Sequence, residues 1–147
     1  MLMKIRFAIL VSFVLWALLG CASSSGVEGT WVGSIQLPPM DAASKLRAET
    51  AMADLIKVKL TLGSDSSFDL TMLRRPFHGH WTLVGNEVNL KVETIDGVPL
   101  DQYKKDSLNL EPFRKPLLYR WSDDKASLTS VPSTPTESVA VLKRTTQ

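Results

Sequence analysis

From Ile56 to Val92 apolar and polar residues alternate along most of the chain. Ile56, Val58, Leu60 and Leu62 are separated by Lys57, Lys59 and Thr61, the two-residue period of a strand with one buried and one wet face. Gly63-Ser64-Asp65-Ser66 has turn chemistry, and beyond it Phe68, Leu70 and Met72 alternate with Asp69 and Thr71, which predicts a hairpin. A second hairpin runs from Gly79–Val84 through Gly85-Asn86 into Val88, Leu90 and Val92, and Asp96-Gly97 ends it with a tight-turn pair. Leu117–Trp121 and Ala126–Ser130 flank Asp123-Asp124-Lys125 as a third hairpin, and Val139–Arg144 is a closing strand. Gly29–Gln36 makes the first strand. Residues 98–116, with three prolines, read as an irregular excursion.

One helix is predicted near residues 41–53. Asp41 follows Pro38-Pro39 as an N-cap, and Asp41 and Lys45 stand at i, i+4. Its apolar face, Ala42, Leu46 and Ala53, is weak. Seven or eight short strands joined in sequence by tight turns predict a mainly β fold, an antiparallel up-and-down barrel, because closure removes the unpaired edges of an open sheet.

The first twenty residues follow a different pattern. Lys4 and Arg6 precede Phe7–Gly20, where only Ser12 is polar, and Cys21 and a small polar run come next. Fourteen helical residues would reach about 21 Å against a hydrocarbon core of roughly 30 Å, short for a span. Residues 1–20 therefore read as a secretory signal peptide. Leu18-Leu19-Gly20-Cys21 resembles the lipobox of bacterial lipoproteins. That resemblance implies cleavage before Cys21, palmitate-type acylation of its thiol, and residues 21–28 as a lipidated tether to a domain spanning 29–147. Ala22, not aspartate, follows the cysteine, which in lipoproteins points to the outer membrane and its periplasmic face.

Loss of the signal changes the charge picture. The chain holds 17 basic and 15 acidic residues; without Lys4 and Arg6 the two signs balance, and no case for nucleic-acid binding remains. Gly29-Thr30-Trp31, then Gly79-His80-Trp81 with Val84-Gly85-Asn86-Glu87, and a last strand ending Val141-Leu142-Lys143-Arg144 resemble the lipocalin-like small barrels of bacterial lipoproteins. The resemblance implies that Arg144 lies across Trp31 as a barrel-closing pair, and it is similar to fatty-acid-binding barrels in placing the residue 41–53 helix as a lid.

Candidate chemistry is sparse. His78 and His80, two apart on a strand, share a face and have the spacing of a two-point metal clip. A site needs a further ligand, with Asp69 and Glu87 as the nearest carboxylates in sequence, and two solvated histidines are the plainer reading. Asp123-Asp124 sits at a turn tip, where adjacent side chains diverge and suit turn formation better than acid–base work. No nucleophile elbow or phosphate loop is present, so neither an enzyme nor a cofactor is expected. Trp31, Phe68, Met72 and Trp81 are candidates for a ligand pocket or for plain core. Two function classes stay open: a lipid-anchored, non-catalytic binding barrel for a small apolar ligand, and a structural or protein-interaction module of the cell envelope with a filled core.

Overall fold

A computed structural model of the chain describes residues 26–103, 109–134 and 137–145. The signal segment 1–20 and Cys21 lie outside the described residues. The strands are β1 Gly29–Ile35, β2 Lys57–Leu62, β3 Ser67–Met72, β4 Arg75–Val84, β5 Glu87–Ile95, the two-residue β6 Val98–Pro99, β7 Leu117–Trp121, β8 Ser127–Ser130 and β9 Ala140–Arg144. Every pairing is antiparallel. β1 to β5 pair in sequence, β5 passes to β7, β7 to β8 and β8 to β9. β9 returns to β1 with Trp31 opposite Arg144 and Gly33 opposite Leu142. Eight strands thus form the closed barrel that the alternation predicts, and β6 is an appendage of β5.

Two glycines let the strands approach. A Cβ on Gly33 would stand 1.9 Å from the Val141 carbonyl oxygen, so the seam between β1 and β9 closes only over a residue without a side chain. A Cβ on Gly79 would stand 2.0 Å from the Lys91 carbonyl oxygen and 3.0 Å from the Phe68 ring. There the β4–β5 register shifts between His78 and Gly79, a bulge that bends the wall around the core.

The strand before this bulge starts earlier than the sequence predicts. β4 begins at Arg75, and it joins β3 through Leu73-Arg74, whose φ angles are +53° and +62°. Both positive values match a two-residue hairpin turn normally built from asparagine and glycine. Neither residue type stands here, so the sequence carries no sign of the turn.

Alternate residues of every strand fill the interior. Trp31, Leu60, Phe77, Val88, Leu90, Ile95, Leu128 and Leu142 are fully enclosed. So is Val27, ahead of the predicted domain start, and its carbonyl accepts from Trp31 Nε1 at 2.9 Å. Val27, which falls within the residues 21–28 expected to lie outside the domain, thus belongs to the folded body.

The helix, α1 Ala42–Met52, is capped by Asp41, whose carboxylate accepts from the Ser44 amide at 3.0 Å. Hydrogen bonding from Ser44, first from its side chain and then from its amide, holds the Asp41 pKa below its usual value. Lys45 approaches Glu49, at 3.8 Å, and not Asp41. No residue of α1 is buried, and Leu46 is 66% exposed. The expectation of a lid is corrected: an apolar face this weak cannot offset the ordering cost of docking. No described helix is long and apolar enough to cross a membrane.

Residues 98–103 and 109–116 do the covering instead. Tyr103 and Phe113 are buried, and the Phe113 ring stacks on Phe77 with centroids 5.0 Å apart. Tyr103 Oη donates to Asp96 at 2.8 Å, and Arg75 reaches both the Tyr103 hydroxyl and Asp96. This cluster pins the excursion to the end of the barrel that holds the Leu73-Arg74 turn.

Candidate functional site

The barrel has two unlike ends. One carries the turns at 63–66, 85–86 and 122–126 and the three described tryptophans, Trp31, Trp81 and Trp121. The Arg144 guanidinium lies 4.8 Å over the Trp31 ring, because β9 delivers residue 144 opposite residue 31. It also donates to the carbonyls of Glu28, at 3.0 Å, and Gly26. Trp81 Nε1 donates to the Gly63 carbonyl at 3.0 Å, and Lys125 Nζ sits 4.2 Å over the Trp121 ring. Carbonyls thus pin the Trp31 and Trp81 indoles, and cations roof Trp31 and Trp121.

Of the four residues expected to form either a ligand pocket or plain core, three belong to this packed half. Trp31, Phe68 and Trp81 are core, at 0%, 2% and 6% exposure. Met72 stands apart, half-buried at the other end of β3, where it lines a cleft.

That cleft, with a volume of about 640 Å³, is the candidate site. Ile35, Met72, Phe113, Leu117, Tyr119 and Ala140 give it an apolar wall, assembled from strand ends and from the excursion. Lys115 and Glu137 are its charged lining residues, and Glu137 is engaged as acceptor for the Ser133 amide. Ser130 is engaged too, its Oγ accepting from the Ala140 amide at 2.8 Å. No residue of α1 contributes.

Tyr119 is the polar group of the inner wall. It points inward between Val88 and Ser130 on the neighbouring strands and is 3% exposed. Burial pushes its phenol pKa up to about 12, so it remains a neutral donor at any physiological pH. Alternation along Leu117–Trp121 marks residue 119 as inward, but nothing in the sequence shows that the space beside it is empty. Phe113, on the irregular excursion, has no periodicity to reveal it.

The histidines lie elsewhere, on the outer wall, and both are exposed. His78 Nδ1 meets Asp69, its cross-strand neighbour, and His80 Nδ1 meets Glu93 at 3.0 Å. Glu87 instead bonds Arg120 at 3.2 Å. Among the described residues no group of three or more potential ligands could hold a metal ion. Asp124 accepts from Ser122 Oγ and the Ala126 amide, bonds that hold its pKa low and organise the turn.

Compared with known proteins, the chain matches no family model, no curated protein and no solved structure.

Proposed function

We propose that the protein is an exported, non-catalytic binding barrel, lipid-anchored through Cys21 to the periplasmic face of the outer membrane, that holds a small apolar ligand in its open end. The apolar cleft carries this reading. Its volume of about 640 Å³ lies within the roughly 300–1,000 Å³ common for small-molecule sites, and its few polar groups are set in apolar wall, as such sites require. The anchor is supported by the basic, apolar and small-residue order of residues 1–25 and by an otherwise unexplained lone cysteine. Two or three acyl chains would hold the protein stably where one would not.

Native mass spectrometry of the mature protein, extracted in mild detergent, tests the cleft; a bound mass released on denaturation is the expected result. Metabolic labelling with a fatty-acid analogue tests the anchor, and Cys21→Ser should abolish it. The second reading, an envelope interaction module, draws on the filled interior below the cleft, where Leu60, Leu70, Leu90, Leu128 and Leu142 are at most 1% exposed. Crosslinking in intact envelopes, with a partner recovered and no ligand mass, would favour it.

A further inference from the structure

Among the polar residues that line the cleft, Tyr119 is the most deeply buried. The Tyr119 hydroxyl makes no hydrogen bond among the described residues. A phenol so buried normally finds a partner, because an unmade hydrogen bond forfeits what water would have supplied. Trp121 Nε1 also lacks one, but that atom is fully sealed within the tryptophan end, where nothing can reach it. Tyr119 differs in lining the cleft. Its strand neighbours enclose it on the other sides, so the cleft is the direction from which a partner comes.

We infer that the ligand of this cleft is a hydrocarbon bearing a neutral hydrogen-bond acceptor, such as an ester, ketone or alcohol oxygen, which the Tyr119 hydroxyl engages on the inner wall. The inference rests on the binding reading above and narrows it to a chemical class. The acceptor is neutral because of what surrounds it. A carboxylate there would lose its hydration and gain only neutral hydroxyl donors, the Tyr119 phenol among them, with Met72, Phe113, Leu117 and Ala140 making up the apolar wall, and that exchange is unfavourable. The cation of the cleft, Lys115, is exposed to solvent. An anionic amphiphile would therefore lie the other way round, its head at Lys115 and its tail against Tyr119.

The two orientations separate experimentally. Binding of decane, decanol, methyl decanoate and decanoate to the full mature protein is measured by displacement of an environment-sensitive naphthalene dye, for the wild type, Tyr119→Phe and Lys115→Ala. Methyl decanoate and decanol should bind the wild type more tightly than decanoate. Tyr119→Phe should weaken both by up to about tenfold, the span of a neutral hydrogen bond of about 1.4 kcal/mol, and leave decane unchanged. Lys115→Ala should not affect the neutral ligands. Thermal unfolding supplies a second readout: a hydroxyl without a structural partner predicts an unchanged or higher Tm for Tyr119→Phe, whereas a lower Tm would mean that the hydroxyl serves the fold and would overturn the inference. A preference for decanoate that is lost in Lys115→Ala and kept in Tyr119→Phe would overturn it while leaving the binding barrel in place. Failure of all four probes to displace the dye would remove both.

Discussion

The tryptophan end and the cleft end of this barrel are made from the same eight strands, yet they use side chains in opposite ways. At the first, Trp31 and Trp81 spend their N–H groups on the Val27 and Gly63 carbonyls, and Arg144 and Lys125 cover indole faces. At the second, strands end in loops that leave about 640 Å³ unfilled, and the Tyr119 hydroxyl has no partner among the described residues. Closure secures the fold, and what remains unfilled is available for binding. One end can be sealed only because the other is not asked to be.

The sharpest way to break this comparison is to truncate one inward side chain at each end to alanine. Trp31→Ala should cost about 3–5 kcal/mol, because a fully enclosed indole leaves a cavity and an orphaned carbonyl. Met72→Ala, half-buried on the cleft, should cost about 1 kcal/mol. Urea denaturation measures both, and equal costs would mean that the ends are not mechanically distinct.

Alkali should find the cleft end first. The Tyr119 phenol is raised from 10.0 to about 12 in the fold, so the folded state holds its proton more tightly than the unfolded chain does. Its contribution is fully present below pH 10 and is lost as pH rises through about 12. Two pKa units bound the loss at roughly 3 kcal/mol. Stability curves measured against pH should fall across this window in the wild type and much less in Tyr119→Phe; parallel curves would contradict the assignment.

At the tryptophan end, Arg144→Ala should destabilise by about 0.5–2 kcal/mol, more than an ordinary surface change. Arg144→Lys should recover only part, since an ammonium lacks the planar face that stacks on Trp31. Full recovery by lysine would show that charge alone is at work. The smallest effect is a gain. Replacing Leu73-Arg74 by Asn-Gly at the cleft end should stabilise by about 1 kcal/mol, because both positions have positive φ. A loss on calorimetry would indicate that the Leu73 or Arg74 side chain matters more than its backbone.

The same division explains what the sequence discloses. Strands that line a common core must alternate, so Ile56–Leu62, Phe68–Met72 and Val88–Val92 announce themselves, and their order requires the last strand to meet the first. The encounter of Trp31 with Arg144 follows from that register. The cleft follows from no period. It depends on where residues 110–117 come to rest, on the Phe113 stack against Phe77, and on the Arg75, Asp96 and Tyr103 cluster that gathers residues distant in sequence. The role of α1 is illegible for a related reason: position after the first strand suggests a lid, but its exposed Leu46 shows that position without an apolar face brings no docking.

The burial of Val27 also bears on how the molecule would stand in an envelope. The chain enters the barrel at the tryptophan end, where Gly26 and Glu28 are stitched to Arg144 and Val27 to Trp31. With Cys21 as the proposed membrane attachment, the five residue steps to Gly26 reach about 18 Å at full extension. Such a leash is shorter than the body is wide, about 36 Å across on a radius of gyration near 14 Å for its size. The sealed end would therefore rest toward the bilayer like the base of a cup, with the cleft as its rim facing the aqueous compartment. Cargo would be exchanged with whatever passes through that compartment and not with the leaflet beneath.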